Sequence, residues 1–197
     1  MPIQDDRATE AADVLARAMA DEPLSRWLLP DHDEFVAVHR RLFAALIRLA
    51  LDEGHVDTWG DPMAGVAVWV RRPAIESGHR RSRPLGGSDA FPSHASARLE
   101  RYATAIRLLR ERARPDEHAY LDSIAVLPEF RRRGIASSLL DTGHAWADGE
   151  ELPCALETET ASNVAFYSQR GYVVVAEHVL PGSGLTITSM RRTVLGA

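Results

Sequence analysis

The stretch VLPEFRRRGIASSLL, from Val126 to Leu140, places three consecutive arginines between an apolar run and a helix-like run. The residues before it, AYLDSIAVL, are mostly apolar, as in a central strand that is buried on both faces. Pro128 ends this strand, and apolar residues recur at helical spacing over residues 132–148. A strand, a tight turn and a helix N-terminus form an anion site, because the first amides of a helix lack partners within it.

Composition restricts the kind of anion and the class of protein. The 197-residue chain has a formal net charge of -5, a pI of about 5.9 and no lysine. Nucleic-acid binders usually carry a basic face, so we expect no nucleic-acid partner. MPIQDDRATE is no signal peptide, and no apolar run reaches the roughly 18 to 20 residues of a membrane helix, so a cytoplasmic protein without a membrane partner is expected. The single Cys154 is expected to be a small buried hydrophobe.

The order of elements predicts one mixed α/β domain over residues 1–197, with a central sheet flanked by helices. An apolar turn is predicted between Pro23 and Pro30, and a flexible surface loop rich in Pro, Gly, Ser and Arg over about residues 71–94. Periodicity predicts helices over 9–19, 34–51, 95–112, 132–148 and 163–170, and strands over 55–59, 65–70, 119–127, 153–158, 172–180 and 185–192.

Two motifs resemble the GNAT superfamily of acetyl-CoA-dependent N-acetyltransferases. The run Val126-x-Pro128-x-x-Arg131-Arg132-Arg133-Gly134-Ile135-Ala136 resembles the acetyl-CoA signature (Gln/Arg)-x-x-Gly-x-(Gly/Ala), and NVAFYSQRGY, residues 163–172, resembles the family's Asn…Phe-Tyr-x-x-x-Gly-(Phe/Tyr) helix. More loosely, EPLSRWLLPD, GVAVWVRRPAIESG, CALETETASNVAFY and TSMRR resemble puromycin N-acetyltransferase and its relatives. The resemblance implies a single-domain GNAT-like fold (α/β, an α+β mixed sheet) that is splayed at its centre, with an acetyl-CoA-binding core at about 119–175.

The resemblance also implies where acetyl-CoA binds. The pantetheine arm would pair with the exposed backbone of the strand before the signature, and the diphosphate would lie on the amides of the following turn and helix. The arginine side chains would either reach the 3′-phosphate or remain in solvent. Asn163 would be either a pantetheine contact or the N-cap of a short helix. The other implied cofactor residues are Ile124, Ala125, Val126, Arg131, Arg132, Arg133, Gly134, Ile135, Ala136 and Ser137.

Tyr167 matches the family position whose phenol protonates the departing CoA thiolate, and its ordinary pKa of about 10 keeps it protonated at neutral pH. The alternative for Tyr167 is a buried ring packed in the core. Glu157, at the end of the apolar strand CALET, is expected to act as base, base through water or amine anchor, because a carboxylate there must face a cleft or be paired. Asp122 is the second candidate acid, and Trp27 is the candidate for an apolar acceptor pocket. No metal site is expected.

The resulting expectation is an N-acetyltransferase that moves an acetyl group from acetyl-CoA to a primary amine of a small molecule by direct attack. An aminonucleoside, an antibiotic or a self-made metabolite is the candidate acceptor, and the protein is expected to be a monomer or homodimer. Two alternatives remain open: acetylation of a protein or peptide amine, and an acyl-CoA sensor without turnover. Only MPIQ precedes the polar run DDRATE, so the strand with which family members open is expected to be very short or absent.

Overall fold

The computed structural model describes residues 7–73, 91–113 and 116–194. Every helix and strand predicted from the sequence is present within a few residues of its expected bounds. Residues 1–6, where an opening strand was expected to be very short or absent, and residues 74–90, which form most of the expected loop, lie outside the described residues. The helices are α1 (Ala8–Met19), α2 (Pro23–Leu28), α3 (His32–Glu53), α4 (Ser96–Ala113), α5 (Ile135–Gly149) and α6 (Ala161–Ser168), and the strands are β1 (Gly54–Trp59), β2 (Gly65–Arg72), β3 (His118–Val126), β4 (Cys154–Thr158), β5 (Val173–Val179) and β6 (Thr186–Arg192).

The segment between the first two predicted helices was expected to be an apolar turn, and this prediction is wrong, because it folds as α2. Pro23 stands at the start of this helix, where its missing N–H costs nothing. The helix ends before Pro30, and Asp31 then caps α3 by accepting a hydrogen bond from the Glu34 amide at 2.8 Å. The prolines therefore bound a short helix.

The strands form one six-stranded mixed sheet in the order β1-β2-β3-β4-β6-β5. The β3–β4 pair is parallel and is connected through α5, whereas the other four pairs are antiparallel. β3 is mostly buried, as its apolar sequence predicts. The mixed α/β architecture expected from the sequence is therefore confirmed.

Helices cover both faces of the sheet. On one side, which we call the α5 face, Ile135, Leu139 and Leu140 of α5 pack with Trp69 and Leu156 of the sheet. On the other side, which we call the α1 face, α1 and α3 pack on the side chains of β2, and α4 packs on β6 through residues such as Leu109. None of the described helices is long and apolar enough to span a bilayer.

Helix α5 lies very close to β2. A Cβ atom added to Gly143 would stand 2.0 Å from Nε1 of the buried Trp69 side chain, so no side chain fits there. Gly149, at the end of the same helix, has open space around it. The close approach at Gly143 fixes the position of α5, and hence of its N-terminus, against the sheet.

β3 contains one extra residue. Its register with β2 runs from Val68↔Ser123 directly to Trp69↔Leu121, which leaves Asp122 as a bulge. The bulge reverses the alternation of the strand: Leu121 packs on the α5 face, and so do Ile124 and Val126, three and five residues later. The second half of β3 is thereby turned relative to its first half.

Candidate active site

The sheet opens between its two parallel strands. β3 and β4 pair only at Ala119↔Cys154 and Tyr120↔Ala155. Beyond this point β3 stays paired with β2 as far as Val126, while β4 stays paired with β6 as far as Thr158. The splayed centre expected from the sequence is therefore present.

Two backbone hydrogen bonds show which groups of β3 face the opening. The Ala119 amide donates to the Pro153 carbonyl at 2.9 Å, on the β4 side, and the Leu127 amide donates to the Ala64 carbonyl at 2.9 Å, on the β2 side. Alternation along an antiparallel ladder then turns the backbone groups of Ile124 and Val126 toward the opening and those of Ala125 toward β2. Of the three residues expected to meet pantetheine, only Ile124 and Val126 have the required direction.

The turn before α5 has two left-handed residues, Arg132 at φ 63° and Gly134 at φ 79°. Gly134 is the N-cap of α5, and a Cβ atom there would meet nothing within 4 Å. Glycine suits this position because of its positive φ, and the space beside the backbone is open. The Ser138 amide already bonds the Gly134 carbonyl at 3.0 Å, which leaves the amides of residues 135–137 without partners inside the helix.

The three arginines differ in what they contact. The Arg131 guanidinium donates to the Ala18 carbonyl at 2.8 Å and to the Val126 carbonyl at 3.2 Å, and it pairs with Glu22 at 3.4 Å. It fastens the turn to the end of α1, which is not the phosphate contact that the resemblance implies. Arg133 donates to a backbone carbonyl and lies over a phenyl ring, whereas Arg132 has no hydrogen bond or ion pair with the described residues. Both are exposed.

The start of helix α6 excludes one of the two roles considered for Asn163. The N-cap is Thr160, whose hydroxyl accepts from the Asn163 amide at 3.2 Å. The N-cap interpretation of Asn163 is therefore wrong, since a cap must lie at the first non-helical position, and Asn163 is in the first turn. At the other end of the helix, Arg170 donates to the Ser137 hydroxyl at 2.6 Å and so joins α6 to the start of α5, a contact that the motifs did not reveal.

Tyr167 lies on the α5 face and is 7% exposed. Its ring stands edge-on to Phe166 and Tyr172, with centroids 5.2 and 5.6 Å away, as expected for a core aromatic residue. Its hydroxyl, however, makes no hydrogen bond with the described residues. Burial and the negative charge of Glu159 raise the pKa of Tyr167, so the phenol is held in its protonated form.

Glu157 lies on the α1 face, beside the closed end of the opening. One of its carboxylate oxygens accepts a hydrogen bond from the Tyr120 hydroxyl, and the other accepts from Ser189 at 3.4 Å. Arg72 and Arg110 stand over the Tyr120 ring, 5.1 and 4.9 Å from its centroid. Glu157 is therefore paired, as its place in an apolar strand predicts, although its partners lie far away in the sequence.

Asp122 and Trp27 also lie on the α1 face. Asp122 accepts from the Ser123 hydroxyl at 3.1 Å and lies 3.8 Å from Arg72, while burial raises the pKa of its carboxyl. The Trp27 indole donates to the Gly182 carbonyl at 3.1 Å and packs with Tyr102 against α4 and β6. The sequence-predicted acids and the aromatic residue thus share one side of the sheet.

Glu159 was not singled out from the sequence. It follows β4, and burial, together with the charge of Glu22, raises the pKa of its carboxyl to about 7. The repeated acids of ETET, residues 157–160, were the available signal. Among the described residues no cluster of His, Cys, Asp and Glu is suited to a metal ion.

A mixed sheet that opens between parallel strands, followed by a turn at the N-terminus of a helix, is the arrangement of the GNAT fold, which the solved structures below share. Residues 98–174 match the family model described as acetyltransferase (GNAT) domain, which spans both sequence motifs. Residues 98–174 therefore carry a similarity to the GNAT acetyltransferase domain.

Solved structures with this fold cover nearly the whole chain. One, described as histone acetyltransferase HPA2 and related acetyltransferase from Corynebacterium glutamicum, is 20% identical with a TM-score of 0.64, over 100% of this chain and 96% of that one. Arylalkylamine N-acetyltransferase 2 from Aedes aegypti is 13% identical with a TM-score of 0.72, over 98% and 97%. The mosquito's putative arylalkylamine N-acetyltransferase 7 is 17% identical with a TM-score of 0.68, over 98% and 86%. At these identities the likeness is one of fold.

Proposed function

We propose that the protein transfers the acetyl group of acetyl-CoA to a primary amine of a small molecule by direct attack. The observation that carries this proposal is the opening between β3 and β4, with Tyr167 on one face of the sheet and Glu157 on the other. A thioester bound along the opening would be accessible from both faces, so its leaving group and the attacking amine could approach from opposite sides.

The residues around the opening suit acetyl-CoA. The outward backbone groups of Ile124 and the amide of Val126, whose carbonyl accepts from Arg131, would pair with the pantetheine arm, and the amides of residues 135–137 would bind the diphosphate. The open space beside Gly134 admits a phosphate against the backbone. Arg132 and Arg133 would supply positive charge from the rim, while Arg131 holds the turn in place.

Acetyl transfer needs an acid that protonates the leaving thiolate, and the candidate acid lies on the α5 face. A neutral amine attacks the thioester carbonyl, a tetrahedral oxyanion forms, and the CoA thiolate leaves. Tyr167, held protonated by burial, would donate its proton to the sulfur. Glu157, fixed by the hydroxyls of Tyr120 and Ser189, would anchor the amine on the other face.

The acceptor would bind on the α1 face, where Trp27 and Asp122 lie. Two neighbours by fold are described as arylalkylamine N-acetyltransferases, and the sequence resembles puromycin N-acetyltransferase and its relatives. An aromatic amine or an aminonucleoside is therefore the acceptor class with which to begin. The half-buried Trp27 and Tyr102 would offer their rings to such a molecule.

A free-thiol release assay with acetyl-CoA tests this proposal. The amine panel contains aminonucleosides, arylalkylamines, polyamines and peptides with a free N-terminus. We expect thiol release with at least one small amine and acetylation of its nitrogen by mass spectrometry. Preference for the peptides would favour a peptide acetyltransferase, and thermal stabilisation by acetyl-CoA without thiol release would favour a sensor.

A further inference from the structure

The Arg170 side chain connects the end of α6 to the first turn of α5. Its guanidinium donates to the Phe166 carbonyl at 2.8 Å and to the Ser137 hydroxyl at 2.6 Å, and it lies over the Phe166 ring, 3.7 Å from the centroid. The Arg170 amide also donates to the Tyr167 carbonyl at 2.8 Å. Backbone and side chain thus hold this half-buried guanidinium in one place beside Ser137.

The charge of Arg170 is not balanced by the groups that it contacts. Its partners are a carbonyl, a hydroxyl and an aromatic ring, all of them neutral, and no carboxylate among the described residues forms an ion pair with it. Arg192, also on the α5 side, differs in this respect, because it pairs with Asp148 through two bonds of 2.9 and 2.8 Å. A half-buried cation gives up part of its hydration, and an anion bound beside it would compensate that loss.

Ser137 offers two further donors at the same place. Its amide is among those of residues 135–137 that have no partner inside α5, a helix of 15 residues. Its hydroxyl oxygen accepts from Arg170, so the hydroxyl proton remains for donation to a third group. An amide, a hydroxyl and a guanidinium therefore lie together at the start of α5, and each is a donor that suits a phosphate oxygen.

We propose that Arg170 is the cation that binds the diphosphate of acetyl-CoA, together with Ser137. This inference rests on the proposed acetyl transfer and assigns to the same cofactor site one residue that lies outside the arginine-containing signature. Two N–H groups of the guanidinium hold the Phe166 carbonyl and the Ser137 hydroxyl, and the remaining ones are available to the diphosphate.

The arginines of the signature are less suited to this role. Arg131 is paired with Glu22 at 3.4 Å and fastens the turn to α1. Arg132 and Arg133 are exposed, where water and salt weaken their interaction with a phosphate. Arg170 is already held at two points, so little side-chain freedom is lost when an anion binds, and its half-buried charge is screened less.

Calorimetric titration of the full chain with CoA and with 3′-dephospho-CoA tests this assignment. Arg170→Gln should weaken the binding of both ligands by about 10-fold or more, because charge-assisted bonds to the diphosphate are lost. Arg170→Lys keeps the charge without the planar fork, so its affinity should lie between those of Arg170→Gln and wild type. Arg48→Gln is the matched control: it removes an exposed guanidinium of α3, on the other side of the sheet, and should stay within about 2-fold of wild type.

A donor without phosphate separates a phosphate contact from a change of structure. S-acetylpantetheine carries the thioester and the pantetheine arm alone, so Arg170→Gln should release thiol from it as wild type does, while its kcat/KM for acetyl-CoA falls about 10-fold. Equal losses with both donors would show that Arg170 only positions α6 and Tyr167, and would overturn the assignment. Weaker binding of CoA with unchanged binding of 3′-dephospho-CoA would place Arg170 at the 3′-phosphate and would also overturn it.

Ser137→Ala carries the same test if Arg170→Gln does not fold, because the stacking of Arg170 on Phe166 is kept. It should weaken the binding of CoA and of 3′-dephospho-CoA by about 3-fold or more and leave the rate with S-acetylpantetheine unchanged. Full affinity in Ser137→Ala would contradict the proposed contact. If the variants bind and react as wild type does, the assignment of Arg170 is wrong while acetyl transfer stands; if wild type itself releases no thiol with any amine, the proposed function fails first.

Discussion

The Tyr120 hydroxyl donates a hydrogen bond to Glu157 across the point at which β3 and β4 separate. Tyr120 is the last residue of β3 that pairs with β4, and Glu157 lies two residues beyond its partner Ala155. Burial and the charge of Glu157 raise the pKa of Tyr120, which therefore stays a donor. The bond closes the narrow end of the opening on the α1 face.

Tyr120→Phe should destabilise the protein. It removes one donor from a half-buried carboxylate, which costs about 1–3 kcal/mol for a charged group. Ser189→Ala removes the longer bond to the same carboxylate, so we expect a smaller loss. Denaturant unfolding at pH 7.5 measures both variants, and equal stabilities of Tyr120→Phe and wild type would show that the bond contributes nothing net.

Tyr167→Phe should lower kcat by about 100-fold or more, because the thiolate loses its proton donor. Stability and acetyl-CoA affinity should hardly change, since the hydroxyl has no hydrogen bond with the described residues. Tyr172→Phe is the matched control: its hydroxyl lies 3.0 Å from Nε2 of the buried His144, so stability should fall while kcat is kept. An unaltered kcat in Tyr167→Phe would mean that the acid is another group.

Substitutions of the three arginines should separate binding from stability. Arg131→Gln should lower the melting temperature, because the loop loses its bonds to Ala18 and Glu22. Arg132→Gln and Arg133→Gln should weaken acetyl-CoA binding several-fold at low salt, and less at high salt because screening reduces exposed charge interactions. Calorimetry and thermal melts measure the two effects. The distinction fails if Arg131→Gln weakens binding but leaves the melting temperature intact.

Gly143→Ala should destabilise the protein strongly, by at least about 2–3 kcal/mol, because its Cβ would overlap Trp69. Gly149→Ala on the same helix has open space and should change stability by less than about 1 kcal/mol. Chemical unfolding of the two variants compares them directly. Similar stabilities would contradict the close approach of α5 to β2.

Glu159→Gln should change how stability depends on pH. The Glu159 carboxyl titrates at about 7 in the folded chain and near 4.5 in the unfolded chain, so between these values the folded chain binds more protons. Its contribution to wild-type stability therefore falls as pH rises from 4.5 to 7. We expect the free energy of unfolding of Glu159→Gln to rise relative to that of wild type over this range, by up to about 3 kcal/mol above pH 7.

The variant must be compared with wild type, because the buried histidines make stability depend on pH in the direction opposite to Glu159. Burial lowers the pKa of His39, His118 and His144 to about 4, so the neutral folded forms lose stability as pH falls below the usual histidine range. These three residues are common to both proteins and cancel in the difference. A stability difference that does not vary with pH would contradict the raised pKa of Glu159.

The pattern of the sequence was sufficient to predict every strand, every helix except α2, and the turn before α5, because apolar periodicity, Pro128 and Gly134 are local signals. It could not reveal the direction of the Arg131 side chain, since an arginine beside a phosphate site and one fastened to a neighbouring helix have the same sequence context. The partners of Glu157 were equally hidden, because Tyr120 and Ser189 are brought to it by the sheet alone. The α2 helix has no distinct signal, because a proline ends one helix as readily as it starts another, and Pro23 starts α2.

The bulge at Asp122 has no sequence signal either, yet it sets what β3 offers to a ligand. If Asp122 were paired in regular alternation with its neighbours, the peptide groups of Ala125 would turn toward the opening and those of Ile124 and Val126 toward β2. Deleting Asp122 would instead remove the bulge and keep the faces of the strand's end, because Leu121 and Ile124 would then alternate regularly through Ser123. The chemistry of this edge therefore depends on where β3 departs from regular pairing as well as on the side chains that it carries.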